Sequence, residues 1–282
     1  MSDALSSRVR ADYDQARFQA FLNRVWSVVS GQPAELLSYD EVKEKLRIGG
    51  PIYRGVQTVR VKQIAGSLNR YQAFDRAFLP KSDDTSDRWQ SINRAFYEDI
   101  SLPPVVLYKV GDVYFVVDGH HRVSVARKQN QVFIDAEVRE CSTKVNITPD
   151  IKPEDLQILH AKVQFIERTG IDRLRPDADI NLTIPDGFVR MLEHIAVHRY
   201  FMGLDWKRDI GDEEAVNHWY ETVYLPIVKI IRESKILQEF PGKTESDLYL
   251  WTLDHQHYLI EQKGAALRPP EEAARDFIEK VD

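Results

Sequence analysis

The sequence predicts an α+β chain, with a mixed α/β domain followed by an all-helical one. Three observations predict it. Strand-like apolar runs are confined to residues 55–140, where Gly and Pro punctuate them. Apolar residues at three- and four-residue steps precede that region and resume after it, running to the end of the chain. Between the two regimes, residues 142–152 carry neither pattern and read as a linker. The expected organisation is a helical segment over 1–50 packed on the next domain, a mixed domain over 51–145 and a helical domain over 153–282.

Taken in order, Val9, Tyr13, Phe18, Phe21, Leu22, Val25, Trp26 and Val29 predict an amphipathic helix that spends its aromatics on a core face, stopped by Gly31 and Pro33. Ser38-Tyr39-Asp40-Glu41 is a capping box opening a second helix through Leu46, and Gly49-Gly50-Pro51 breaks the chain. Val59 and Val61 alternate with Arg60 and Lys62 as a strand would, with Gly66-Ser67-Leu68-Asn69-Arg70 as the following turn. Phe74, Phe78 and Leu79 suggest a helical turn. Lys81 to Ser86 reads as a polar surface loop, and Trp89, Ile92, Phe96 and Tyr97 place a helix over Asp87–Asp99. Val105–Tyr108 and Val113–Val117 flank the tight turn Val110-Gly111-Asp112, and their unbroken apolar run implies burial on both faces. A helix ending near Asn130 and a strand over Phe133–Val138 complete the domain. The helices beyond start near Pro153, Asp186, Asp212, Thr244 and Pro269, with Pro226 interrupting the pattern.

The 282 residues are 43% hydrophobic and 29% charged, enough to build real cores and to solvate the surface. One cysteine, Cys141, excludes an intramolecular disulfide or a cysteine-cluster metal site. No apolar run approaches the ~18 residues of a membrane span, and the expected compartment is the cytoplasm. The net charge of −6 is uneven: residues 1–150 carry +2 and residues 151–282 carry −8. Such an acidic second half disfavours DNA, whose affinity comes from Lys and Arg neutralising phosphates. A small anion such as a nucleotide suits the first half.

The densest signal is Asp118-Gly119-His120-His121-Arg122, where an apolar strand meets a helix start. Gly119 lets backbone approach a ligand closely, and the first helical turn offers N–H groups and a dipole that favour phosphate. Arg122 could add a bidentate clamp. Imidazoles exchange protons near neutral pH, so His120 or His121 could donate to a phosphate oxygen or move a proton. Asp118 could hold Mg2+ or accept a proton from an attacking hydroxyl. The same pentapeptide also fits a plain Asp-Gly turn with an aspartate cap.

Val116 to Ala126, with Val59–Ile64 and Gly66–Arg70 upstream, resembles the ParB/sulfiredoxin superfamily, the ParB-like nuclease domain. The resemblance covers roughly residues 55–140. The superfamily includes CTP-binding partition proteins, sulfiredoxins and free-serine kinases that use ATP or ADP, and what these share is a nucleotide phosphate held at this turn. Sulfiredoxins keep a catalytic cysteine where this chain has His120, so that chemistry is not implied. Partition proteins carry a Gly-Glu-Arg-Arg version, then a helix-turn-helix module that has no persuasive counterpart here. The free-serine-kinase branch is the most similar at the turn. The resemblance implies a nucleotide (ATP, ADP or CTP) with Mg2+, held by Ser67, Arg70, Gly119, His120, His121 and Arg122. Asp118, His120 and His121 would be catalytic, Asp118 the metal ligand, and a small hydroxyl-bearing molecule the acceptor. The branch's acidic base has two candidates, Asp75 and Glu98.

Phosphoryl transfer or nucleotide hydrolysis is therefore the first functional expectation. A non-enzymatic, nucleotide-gated regulator acting on DNA or a protein partner is the alternative. A third reading makes the helical half an interaction or homodimerisation platform. Glu193, His194 and His198, with His218, Asp254, His255 and His257, offer metal-ligand chemistry on helices, against a default of helix-packing histidines. Trp206, Trp219 and Trp251 read as core or interface aromatics, and Cys141 as inert.

Overall fold

A computed structural model describes residues 2–30, 35–69, 72–152, 154–264 and 266–281. The chain divides into two compact units, residues 1–156 and 157–282. Arg70, Gly31, Pro33 and Pro153 lie outside the described residues.

The first unit is built on a six-stranded mixed sheet. Its strands are β1 (Leu37–Ser38), β2 (Pro51–Arg60), β3 (Ile64–Ser67), β4 (Val105–Val110), β5 (Val113–Asp118) and β6 (Phe133–Cys141), in the order β1-β3-β5-β4-β6-β2. The apolar run Val113–Val116 makes β5 an interior strand, parallel to β3 and antiparallel to β4. Gly66 is fixed by proximity, because a Cβ there would fall 2.2 Å from the Phe115 ring and 2.9 Å from the Leu37 carbonyl oxygen. Four helices accompany the sheet: α1 (Ser2–Ser30), α2 (Tyr39–Leu46), α3 (Ser86–Tyr97) and α4 (His120–Lys128). Ser38 caps α2 by accepting from the Glu41 N–H at 3.4 Å.

Among the described residues, two core clusters hold this unit. One joins Ile64, Phe74, Phe78, Val105, Leu107, Val116, Val123 and Val138 around the sheet. The other joins Tyr13, Ala16 and Ala20 of α1 to Trp89 of α3 and Val125 of α4. The Trp89 indole N–H donates to Ser124 Oγ at 2.9 Å, locking α3 to α4.

Four sequence expectations need correction. The apolar residues of α1 do not share one core face: Val9 and Tyr13 are buried, whereas Phe18, Phe21, Leu22, Val25, Trp26 and Val29 are exposed. The five-residue step from Tyr13 to Phe18 carries the pattern to the other side of the helix. The strand read at Val59–Lys62 is the end of the longer β2, whose outward residues gave no apolar alternation, while 61–63 form a 3-10 turn. Gly66 and Ser67 belong to β3 and not to a turn. Phe74–Leu79 is a tight turn, not a helical one: Phe74 bridges Pro80 antiparallel, the Asp75 N–H donates to the Leu79 carbonyl at 2.9 Å, and the Asp75 carboxylate accepts from the Leu79 N–H at 2.7 Å.

The described elements of the second unit are helical: α5 (Asp155–Thr169), α6 (Ile171–Leu174), α7 (Pro185–Trp206), α8 (Asp212–Trp219), α9 (Leu225–Ser234), α10 (Glu245–Lys263) and α11 (Pro270–Val281). A π turn over Tyr220–Tyr224 joins α8 to α9, so Pro226 sits in the first turn of a helix. Thr244 and Asp247 form a reciprocal capping box at α10. Trp219, Tyr224 and Tyr249 pack together with their polar atoms paired: the Trp219 indole donates to Tyr249 Oη at 3.0 Å, and Tyr224 Oη lies 2.8 Å from Ser246 Oγ. Among the described residues no helix is long and apolar enough to cross a membrane.

Candidate functional site

The site starts from one backbone conformation. Gly119 holds φ at +95° between the end of β5 and the first turn of α4. A side chain there would be strained by that dihedral and would meet Val105 Cγ1 at 2.5 Å. The turn lets the strand end and the helix begin within one residue, so residues 118–122 face one place.

That place is a cleft of about 530 Å³ lined by Asn69, Asp84, Thr85, Arg88, Ile92 and residues 117–122. It lies at the N-terminal ends of α3 and α4. Neither cap residue, Thr85 nor Gly119, makes a side-chain capping hydrogen bond. Helix N-termini carry partial positive charge and favour anions. Arg88 lies in the cleft wall, is exposed, and has no hydrogen-bond or ion-pair partner among the described residues.

The sequence-derived residues take different positions around this cleft. Arg122 donates to Asp118 Oδ2 at 2.6 Å, to the Pro104 carbonyl at 2.9 Å and to the Pro103 carbonyl, clasping the loop before β4. The side chain of Asp118 is 71% exposed, that of Arg122 only 14%. His120 is buried, with Nε2 2.8 Å from Ser67 Oγ and its ring stacked on Phe74. His121 meets the same Phe74 ring edge to face at 5.5 Å. Ser67 is fully buried and does not line the cleft, so its link to the cleft runs through His120.

Neither candidate base joins them. Asp75 is buried, accepts from Asn23 Nδ2 at 2.8 Å, and lines a separate hollow with Arg17, Arg24, Glu35 and Lys81. Burial raises its pKa above the usual carboxylate range. Glu98 sits past the C-terminal end of α3, the opposite end of that helix from the cleft. The acid that does line the cleft beside Asp118 is Asp84, in the segment expected to be a plain surface loop. Arg88 and Asp84 carry no motif. Only their position just before the buried Trp89, at a helix start, could have drawn attention to them.

Asp118 and Asp84 offer the hard carboxylate oxygens that Mg2+ prefers. Among the described residues, no group of three or more His, Cys, Asp or Glu is placed to hold a metal. Any Mg2+ here would need phosphate oxygens to complete its shell, the usual arrangement for a nucleotide-borne ion. A second, more apolar hollow of about 410 Å³ shares Ile92 and Arg122 with the cleft and is lined by Phe96, Ile100, Leu102 and Phe133. Cys141 is buried beside Tyr39 Oη at 3.4 Å, and burial pushes its thiol pKa up, away from the thiolate that nucleophilic attack needs.

In the helical unit His198 and His218 meet, but among the described residues no three His, Cys, Asp or Glu come together there to hold a metal. His194 contacts Tyr249 Oη at 3.2 Å, His198 Nε2 lies 2.7 Å from His218 Nδ1, His255 pairs with Asp276, and His257 with Glu261. Trp219 is fully buried, whereas Trp206 is substantially exposed.

No protein-family model and no curated protein matches the chain. Among solved structures, the chain is similar to a Pnob8-like ParB-N domain in a C2221 crystal form, at 11% identity over 82% of this chain and 98% of that one. The TM-score is 0.21, too low for the likeness to add to what the residues say.

Proposed function

We propose that the cleft at Gly119 binds the phosphates of a nucleoside di- or triphosphate, and that the chain transfers or hydrolyses a phosphoryl group there. The observation carrying this reading is the cleft at the left-handed Gly119 turn, which is lined by the α4 start, the α3 start and the unpartnered Arg88. The resemblance of residues 116–126 to the nucleotide-holding turn of the ParB/sulfiredoxin superfamily supports it. Arg88 and the two helix starts would hold phosphate oxygens, with His121 at the cleft wall as a proton donor. His120, held by Ser67 and Phe74, positions the turn. Mg2+, bound through Asp118 and Asp84 together with the phosphates, would supply charge neutralisation. The adjoining hollow, which mixes Phe96, Ile100 and Phe133 with Thr58, Gln131 and Asp135, gives a base or an acceptor a place beside the phosphates.

The Asp118–Arg122 clasp favours a second reading. An acid neutralised by its own helix is less available as a base, which suits a nucleotide-gated binding module without turnover. A thermal-shift series with ATP, ADP, CTP and GTP, each with Mg2+, tests the binding. A ligand at about 100 Kd adds ~2.7 kcal/mol. Arg88→Ala should weaken that binding roughly tenfold while leaving the unliganded melting temperature alone. Released or transferred phosphate separates the two readings. Asp118→Asn keeping binding and losing turnover supports catalysis, and binding without turnover in the unaltered chain supports the gated module. No shift with any nucleotide overturns both.

A further inference from the structure

The second half of α1 presents an apolar face that its own unit does not cover. Phe18, Phe21, Leu22, Val25, Trp26, Val28 and Val29 are 47% to 84% exposed. At about 100° per residue, Phe18, Leu22, Val25 and Val29 lie opposite Tyr13, Ala16 and Ala20, the face that packs on Trp89 of α3 and Val125 of α4, and Phe21, Trp26 and Val28 flank them. We infer that α1 is a dimerisation element, pairing with α1 of a second copy of this chain.

The spacing selects a helix as the occupant. Phe18, Leu22, Val25 and Val29 are separated by four, three and four residues, the a/d seam of a coiled coil. The size selects a full interface. These side chains expose on the order of 700 Å², close to the ~800 Å² each partner buries in a standard interface and above the few hundred Å² a monomer usually leaves open. The charge argues against a lipid surface. Arg24 is the one charged residue between positions 18 and 30, and membrane-surface helices carry a strongly basic polar face. An antiparallel pairing sets Phe18 across from Val29 and Leu22 across from Val25, large against small. Such a contact is two-fold symmetric and closes on itself.

Sedimentation equilibrium of the full chain at micromolar concentration should return twice the chain mass. Val25→Glu should return a monomer with unchanged helical circular dichroism, since position 25 is exposed. If that variant fails to fold, Leu22→Lys makes the same test. A monomeric unaltered chain, or a Val25→Glu chain that stays dimeric, overturns the proposal. So does a monomer that floats with anionic phospholipid vesicles. An equimolar mixture of Leu22→Cys and Val25→Cys chains should cross-link unlike copies, with the buried Cys141 silent. Preferential cross-linking of like copies overturns the antiparallel arrangement.

Discussion

The molecule uses its histidines in two ways, and the contrast lies in the backbone that carries them. His120 and His121 come directly after a glycine with φ of +95° and border an open cleft where an exposed cation has no partner among the described residues. His194, His198 and His218 sit in regular helices and meet Tyr249 or one another. Residue type is the same in both regions. In the first, the imidazoles are packed too, on Phe74, but a backbone conformation costly to any residue except glycine is kept beside them. The exposed polar groups Asp118 and Arg88 border the same cleft, which is the arrangement a ligand needs. In the second, each imidazole completes a packing contact inside a bundle, with the Trp206 ring set edge-on to His218. Chemistry-bearing residues therefore become candidates for function here when the backbone departs from regularity around them.

The largest way to break this contrast is to regularise the turn. Gly119→Val imposes a β-branched residue on a left-handed dihedral and drives its Cβ into Val105. Strain and overpacking together should cost about 2–4 kcal/mol in urea unfolding, and nucleotide-dependent stabilisation should vanish. Retention of both would show that the conformation is incidental. In the helical unit, Tyr249→Phe leaves the buried Trp219 indole N–H without its acceptor. A loss of about 1–3 kcal/mol is expected in the unfolding of that unit. The nucleotide response of the first unit should be unaltered, and a parallel loss there would sink the separation of the two roles.

The same contrast governs how far these regions were legible in the sequence. The strand, turn and helix around Asp118–Arg122 rest on local signals, an apolar run halted by Asp-Gly, and those signals need no distant partner. Most helices after residue 153 were readable because spacing alone defines a helical face. What spacing cannot say is which partner covers that face, and α1 shows the consequence: its pattern predicts a helix and misplaces half of its apolar residues. The exposed β2 carries no alternation, since its place comes from backbone pairing with β6. Phe74 to Leu79 is a buried turn closed by the Asp75–Leu79 and Phe78–Asp75 backbone hydrogen bonds and by the Asp75 carboxylate, not a helix, and buried aromatics alone suggested a helix. Arg88 and Asp84 enter the site through the path of the chain between β3 and α3, a property of tertiary structure.

The smallest expected effect is a pH slope confined to the helical unit. Burial lowers the pKa of His194 below its ordinary 6.5, with Arg190 adding to the shift; burial lowers that of His198, with His218 adding. The folded unit then binds fewer protons than the unfolded chain in mildly acidic solution. Its stability is complete above about pH 6.5 and declines as pH falls through the lowered values. Amide exchange in α7 and α8 should report this as faster opening, relative to the chemical exchange rate, at pH 5 than at pH 7. His198→Gln keeps a hydrogen-bonding side chain opposite His218 and removes one titrating group, so the slope should flatten without a change at pH 7. A profile already flat in the unaltered chain would mean that these imidazoles charge freely in the folded state. The helical histidines would then be solvated and reactive, and the distinction from His120 and His121 would have to rest on the Gly119 turn alone.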